Sequence, residues 1–130
     1  MIKMDSDKLN IGSNSDKQRI IQELVPGKQI TLAHIIAAPD EILYRKLGLD
    51  PKVDYRNAAI GILTVSPAET AVIAADIAMK ASNVELGFVD RFSGTLIVTG
   101  MVADTEAAIC AVVDYVKNKL GFSSCEVTKT

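Results

Sequence analysis

The chain has 130 residues, a formal net charge of -2 and 48% hydrophobic residues, so it can bury the core of one domain without cross-links. The weak negative charge creates no basic field that would attract a phosphate backbone. Only 5% of the residues are aromatic, and there is no Trp, so stacking platforms for bases are scarce. These observations argue against nucleic acid as a partner.

The cysteines and the N-terminus indicate the compartment. Cys110 and Cys125 are the only cysteines, and neither has a second Cys or a His at metal-ligand spacing. The polar N-terminus lacks the apolar core of a signal peptide, and no apolar run is long enough to span a bilayer. We therefore expect a cytoplasmic protein in a reducing compartment, with no metal and no membrane partner.

The N-terminal part divides into a tail and a strand. Residues 1–15 are rich in Asp, Ser, Asn and Lys, which predicts a flexible polar tail. An extended strand that is too small to stand alone follows, and it ends at a Pro-Gly turn. The residues of this predicted strand are Arg19, Ile20, Ile21, Gln22, Glu23, Leu24 and Val25. We expect one folded domain over residues 16–130, with 16–27 as this strand and its turn.

The next segments predict a strand, a helix and a strand. QITLAHIIA predicts a strand that Pro39 closes. In the short helix that follows, Asp40 is the expected N-cap and Gly48 the left-handed residue after the C-terminus. Residues 49–57 predict a loop, and the apolar run 58–65 predicts a buried strand.

The central helix has the clearest predicted start. Ser66 and Glu69 have the spacing of a capping box, and the proline between them suits the first helical position. This predicts a helix over residues 67–82. Asp76 and Lys80 form a favourable i,i+4 pair on its polar face.

The remaining segments predict a hairpin, a helix and a strand. Strands at 84–88 and 95–102 flank a turn at Ser93 and Gly94. Asp104 is the expected N-cap of a long amphipathic helix that Gly121 ends, and residues 123–128 predict a last strand. The order β-β-α-β-α-β-β-α-β predicts an α+β fold with helices on one face of a mainly antiparallel sheet.

The sequence offers no convincing catalytic group. His34 lies between apolar neighbours in a predicted strand, which favours a structural role over a catalytic base. Cys110 falls on an Ala/Val-rich helix where a small buried residue is expected, and neither cysteine has an activating neighbour. The glycines form neither a dinucleotide-binding fingerprint nor a phosphate-binding loop. We predict no catalytic residues and no cofactor.

One local feature remains unusual. Arg91 and Phe92 place a charged and a large apolar side chain together beside the tight turn at Ser93 and Gly94. The alternative is an ordinary turn with one side chain folded inward. The residues alone leave both interpretations open.

The order of segments resembles the bacterial microcompartment shell domain. The resemblance runs over GILTVSPAETAVIAADIAMKASNVELGFVDRFSGTLIVTGMVADTEAAICAVVDYVKNKLG. AADIAMKASNVEL is similar to a helix and strand of that family, and DRFSG stands where the family has its pore loop. QITLAHIIAAPDEILYRKLG resembles the family's terminal strand and short helix, yet it precedes the core here. The resemblance therefore implies a circularly permuted domain, as in single-domain shell proteins of ethanolamine and propanediol utilisation.

The resemblance implies a structural protein and not an enzyme. Such proteins form cyclic hexamers that tile into a shell around metabolic enzymes in the bacterial cytoplasm. The implied partners are five further copies of the chain, other shell proteins, and encapsulated enzymes or their targeting peptides. Ethanolamine, propanediol and choline pathways all remain open.

The resemblance also assigns roles to residues. The implied pore loop around the sixfold axis consists of Asp90, Arg91, Phe92, Ser93 and Gly94. The implied edge between hexamers contains Lys80, Asn83 and Pro39. The strand at 19–25 is expected to join its symmetry copies in a small β-barrel that caps the opening.

Two other classes of protein fit parts of the sequence. A small α+β ligand-binding regulatory domain has the same composition and layers. An enzyme would use His34 and a thiol. A regulator would be favoured by clustered polar residues or an anion-binding loop, and an enzyme by paired activating groups, and the sequence shows none of these.

Overall fold

The computed structural model describes residues 27–49 and 58–130 of the chain. The described elements are β1 (Gln29–Ile36), α1 (Glu41–Lys46), β2 (Ala59–Ser66), α2 (Thr70–Ala81), β3 (Glu85–Asp90), β4 (Thr95–Gly100), α3 (Val102–Leu120), β5 (Ser123–Ser124) and β6 (Thr128–Lys129). The predicted tail, the predicted N-terminal strand and most of the predicted loop at 49–57 lie outside the described residues.

Within the described ranges, the strands form one sheet in the order β3-β4-β2-β1-β5, and β6 also pairs with β1. The pairs β1–β2, β2–β4 and β3–β4 are antiparallel. β5 and β6 run parallel to β1. The predicted α+β class with a mainly antiparallel sheet is therefore confirmed.

The main core lies between one face of the sheet and the helices α2 and α3. β2 and β4 direct alternate residues such as Leu63 and Val98 into it, and both are fully buried. The buried face of α2 consists of Thr70 and four alanines, and the small alanine side chains let this helix approach the sheet closely. Gly61 serves the same purpose under α3, because a Cβ there would lie 2.9 Å from side-chain carbons of Thr105 and Ile109.

The opposite face of the sheet carries a second, smaller core. Ile60 and Ile97 point away from α2 and α3, and they pack with Tyr44 of α1 and with Leu49. The Tyr44 hydroxyl donates to the Ala58 carbonyl over 2.6 Å. The prediction that all helices lie on one face is therefore wrong, because the isoleucines of the second face also need apolar cover.

The predicted ends of α1 are confirmed. The Asp40 side chain accepts a hydrogen bond from the backbone N–H of Ile42 over 3.0 Å, as an N-cap does. Gly48 has a φ of 73°, the left-handed conformation expected after a helix.

The predicted start of α2 is wrong by three residues. Ser66 is still part of β2, where it pairs with Gln29, and the helix begins only at Thr70. The chain first turns, with the Thr70 N–H donating to the Pro67 carbonyl. Glu69 becomes the N-cap position and makes no capping hydrogen bond with its side chain.

The long helix α3 begins at Val102, two residues before the predicted cap. Met101 occupies the N-cap position, and Asp104 lies inside the first turn, where a negative charge favours the helix dipole. The Ser82 hydroxyl donates to the Asp104 carbonyl over 2.6 Å, which ties the end of α2 to the start of α3. The helix ends as predicted at Gly121, whose φ is 76°.

The predicted last strand consists of two short pieces, β5 and β6, along the outer side of β1. The Thr130 N–H donates to the Ile35 carbonyl over 2.9 Å, and the Ala37 N–H donates to the Thr130 carbonyl over 2.8 Å. The Lys129 ammonium contacts Glu106 of α3 over 2.8 Å. The C-terminal segment is thus attached to both β1 and α3.

Candidate functional site

The connection between β3 and β4 is a turn of residues 91–94 that the fold holds firmly. Gly94 has a φ of 79°, and a Cβ there would lie only 2.2 Å from the Val65 carbonyl oxygen. The Val65 N–H donates to the Gly94 carbonyl over 2.9 Å, so the turn is bonded to the end of β2. Only glycine fits this position, because a side chain would meet backbone atoms that cannot move aside.

Asp90 organises the turn from its first position. Its carboxylate accepts a hydrogen bond from the Phe92 N–H over 2.9 Å. This bond lowers the pKa of Asp90 below its ordinary value of 3.8. The Ser93 hydroxyl, which is also 3.0 Å from Thr95 Oγ1, and the Ser93 amide contribute in the same direction. The turn is therefore a preformed feature of the single chain.

Arg91 and Phe92 project from the tip of this turn. Phe92 is 80% exposed, more than any other large apolar side chain in the described part of the chain. The Arg91 guanidinium lies over the Phe92 ring, 4.8 Å from its centre, a cation–π contact worth roughly 0.5–1 kcal/mol at an exposed site. The alternative of a turn with one side chain folded inward is wrong, because both side chains are exposed.

Lys80 lies near the C-terminal end of α2, with its side chain 76% exposed. Its ammonium contacts Asp76 over 2.9 Å, which confirms the predicted i,i+4 pair. An exposed pair of this kind contributes little to stability, so the lysine is available for another contact. Asn83 follows α2, is exposed, and has its carbonyl close to Gly100 at the end of β4.

The structure places the predicted pore loop and the predicted edge residues at opposite ends of the sheet. At one end of the sheet, a row of paired residues crosses four neighbouring strands. It consists of Glu85 in β3, Thr99 in β4, Ile60 in β2 and Ile36 in β1. Asn83 and Pro39 adjoin this row, since each lies two or three residues from its end. The turn follows Asp90 at the other end of β3. Asp90 is five residues from Glu85 along the strand, a distance of about 17 Å.

His34 is a structural residue, as the sequence indicates. Its Nδ1 lies 2.5 Å from the Thr128 hydroxyl, and its Nε2 lies 2.9 Å from the Thr130 hydroxyl. Both ring nitrogens are therefore occupied by the C-terminal segment. No local sequence pattern indicates these partners, because they are more than ninety residues away.

The structure corrects the prediction for one of the two cysteines. Cys110 is exposed on α3, not buried, because it faces outward beside the C-terminal segment. Cys125 is partly buried and packs against the main core. Among the described residues, no group of three or more His, Cys, Asp or Glu could hold a metal ion. No described helix is long and apolar enough to cross a membrane.

An open groove of about 430 Å³ lies between α3 and the C-terminal segment. We call it the edge groove, and its lining includes Ile35, Glu106, Ala107, Cys110, Val127 and Lys129. No local sequence signal indicates this groove, because it depends on the parallel pairing of β6 with β1. The residues 19–25 predicted to form a barrel lie outside the described residues.

Comparisons with known proteins identify the family. The profile of the BMC domain matches residues 59–128. The bacterial microcompartment shell protein CutR of Streptococcus intermedius is 51% identical over 86% of this chain and 92% of its own length. The shell protein EutS of Salmonella typhimurium is 50% identical over 88% of this chain and 99% of its own length. A solved structure of a CutR flat hexamer matches with a TM-score of 0.73 and 50% identity, and covers 87% of this chain and 100% of that chain.

Proposed function

We propose that this chain, which belongs to the BMC-domain family of bacterial microcompartment shell proteins, assembles into a six-membered ring that tiles such a shell. The solved flat hexamer of the similar protein CutR supports the ring. The observation that carries the proposal is the position of the exposed turn and of Lys80 at opposite ends of the sheet. A flat tile needs one end of each subunit at its centre and the other at its perimeter.

In the proposed ring, the turn at 90–94 surrounds the central opening. The turn is rigid, because Asp90 and Gly94 fix its two ends to the fold. Six copies of Arg91 and Phe92 would then set the charge and the width of the opening. The residues that would line the opening are therefore already ordered in a single chain.

Lys80, Asn83 and Pro39 would form the perimeter of the tile. Lys80 combines a long aliphatic stem with three ammonium donors, so it can lie along a neighbouring tile and bond to backbone carbonyls there. Its exposure and its weak pair with Asp76 leave it free to do so. We propose that this residue acts between rings and contributes little within one.

The position of β1 supports a circular permutation. The family profile matches only from residue 59, yet β1, at residues 29–36, lies inside the sheet between β2 and β5. A segment that precedes the matched region therefore completes the sheet that this region begins. We further propose that the domain spans residues 16–130 and that residues 19–25 cap the central opening as a small β-barrel.

The protein would have no catalytic activity of its own. The relatives are named as shell proteins, and among the described residues no group of three or more His, Cys, Asp or Glu could hold a metal ion. A ligand-binding regulatory domain is not favoured, because the similarity to shell proteins covers most of the chain. The partners would be other shell proteins and the enzymes inside the shell, in the bacterial cytoplasm.

The ring and its tiling can be tested together on the purified protein. Light scattering should give the mass of six 13.9 kDa chains, and negative-stain images should show rings, sheets or tubes. A stable monomer or dimer that forms no larger structures would contradict the proposal.

The barrel needs a separate test. Replacing residues 18–25 with a Gly/Ser segment of equal length should open the centre of the ring and leave the ring mass unchanged. Hydrogen exchange should show unaltered protection of β2 and β4. Loss of that protection would mean that the segment belongs to the core, and the barrel assignment would be wrong.

A further inference from the structure

The two edges of the sheet differ in a way that specifies how neighbouring copies meet. We propose that Leu86 on the β3 edge of one copy inserts into the edge groove of the next copy, and that repetition of this contact closes the ring. The inference rests on the proposed function, since it assumes the six-membered ring. Its partner is a second copy of this chain.

Leu86 is exposed at the edge of the sheet. In the described part of the chain, β3 is hydrogen-bonded only to β4, so its other side is an open edge. Leu86 pairs with Val98, which is fully buried under the helices, so Leu86 lies on the helix-bearing side of that edge. With 45% of its surface exposed, it is an apolar side chain without full cover.

The edge groove lies at the opposite edge and on the same side of the sheet. Its floor includes Ile35 of β1, which is buried on the helix-bearing face, and its wall includes Ala107 and Cys110 of α3. Val127 of the C-terminal segment also lines it. The lining is mostly apolar and suits a branched aliphatic side chain.

The register of the sheet places Leu86 and the groove at the same level. One row of paired residues crosses the whole sheet and contains, in order, Leu86, Val98, Gly61, Ile35 and Lys129. Rotation about a ring axis beyond the turn keeps every residue at its own distance from that axis. With the axis on the midline of the sheet, both ends of this row lie at the same distance from it, so a residue on one edge meets the residues of the same row on the opposite edge of the next copy.

The charges that border the groove are balanced within one copy, because the Lys129 ammonium contacts the Glu106 carboxylate over 2.8 Å. An uncharged side chain such as that of Leu86 can therefore enter the groove without meeting an unpaired charge. The contact joins two different surfaces, which is the type that closes into a ring when the rotation allows it.

Cysteine cross-linking tests this contact, because Cys110 already lines the groove. We would prepare Leu86→Cys in the full chain, oxidise it with copper phenanthroline or treat it with a short bismaleimide, and separate the products without reductant. Each copy then carries both halves of the pair, so the expected product is a ladder of covalent species up to six chains. Leu86→Cys with Cys110→Ser is the first control and should lose the ladder.

A second control places the new thiol elsewhere. Val72 is 53% exposed on α2 and away from the proposed contact, so Val72→Cys with the native Cys110 should give no ladder. A ring of six chains that gives no ladder with Leu86→Cys, or covalent dimers alone, would overturn the inference and leave the proposed function intact. A wild-type protein that is monomeric would overturn both.

A charge substitution gives an independent measurement. Leu86→Glu should abolish the six-chain particle and leave a folded monomer with an unchanged circular dichroism spectrum, because the exposed side chain contributes little to the isolated fold. Val72→Glu should retain the ring. If Leu86→Glu retains the six-chain mass, the contact lies elsewhere and the inference is wrong.

Discussion

The two ends of the sheet are built differently. At the turn end, the backbone of Gly94 lies against Val65, and Asp90 accepts the Phe92 amide, so backbone atoms fix the position of the loop. At the other end, Lys80 and Asn83 are exposed, and Lys80 has only a solvated partner in Asp76. The turn end is thus ordered by its own chain, whereas the other end offers side chains to a partner.

This difference suggests how a single chain can serve two purposes in a tile. A central opening needs a fixed shape, so its loop tolerates few substitutions. A perimeter needs exposed groups that make contacts only on assembly, so substitutions there should leave the fold intact.

The largest expected effect is that of Gly94→Ala. The substitution combines a φ of 79° with a Cβ that would lie 2.2 Å from the Val65 oxygen. We expect a loss of roughly 3 kcal/mol in the free energy of unfolding, measured by denaturant titration. Gly48→Ala is a matched control, because Gly48 has a φ of 73° but nothing within 4 Å of its Cβ position. It should cost only about 1 kcal/mol, and equal losses in the two variants would contradict the close packing of the turn.

A smaller effect is expected from Ser82→Ala at the other end. The Ser82 hydroxyl donates to the Asp104 carbonyl over 2.6 Å in a partly buried position, and its removal should cost about 1 kcal/mol in the free energy of unfolding. Ser93→Ala at the turn removes an exposed hydroxyl contact and should cost less than about 0.5 kcal/mol. The reverse order in a thermal or denaturant titration would show that side chains, not backbone contacts, hold the turn.

Lys80→Ala should change assembly and leave stability almost unaltered. Because the ion pair with Asp76 is exposed, its loss should change the free energy of unfolding by less than about 0.5 kcal/mol. Rings should persist by light scattering, while sheets and tubes should disappear from negative-stain images. Asp76→Ala breaks the same pair but keeps the lysine, so it should still form sheets. Loss of the ring itself in Lys80→Ala would contradict the perimeter role.

The smallest effect concerns the pH dependence of the turn. The pKa of Asp90 is lowered in the folded chain, chiefly by the Phe92 amide, so its stabilising contribution is complete above the unfolded value of 3.8. That contribution is lost as the pH falls through the folded pKa. The amide resonance of Phe92 should therefore titrate below pH 3.8, and Asp90→Asn should remove the titration. A midpoint above 3.8 would contradict the hydrogen-bonded carboxylate.

Much of the fold could be predicted from local sequence signals. Asp40 and Gly48 bound α1 as predicted, and Gly94 adopts the left-handed conformation that a tight turn requires. The Asp40 cap and the left-handed glycines are signalled by neighbouring residues, whereas the contact of Gly94 with Val65 is not. For the candidate site, the resemblance to a known domain was needed as well, because Arg91 and Phe92 by themselves were compatible with an ordinary turn.

The predictions that are wrong concern residues whose surroundings include parts of the chain that are distant in sequence. Ser66 has a capping pattern, but pairing with Gln29 keeps it in β2. Cys110 has apolar sequence neighbours, but the helix turns it outward, next to a segment that arrives from the C-terminus. The edge groove is also formed by this segment, so no local pattern could have indicated it.

The central claim is that the turn points to the ring axis and that Lys80 lies at the perimeter. In a sixfold ring, the distance between equivalent points on adjacent copies equals their distance from the axis. Spin labels at Phe92→Cys and Lys80→Cys, each in a Cys110→Ser and Cys125→Ala background, would report these distances by double electron–electron resonance. The account predicts a nearest-neighbour distance at least about 17 Å longer at Lys80 than at Phe92. Equal distances, or a longer distance at Phe92, would contradict it.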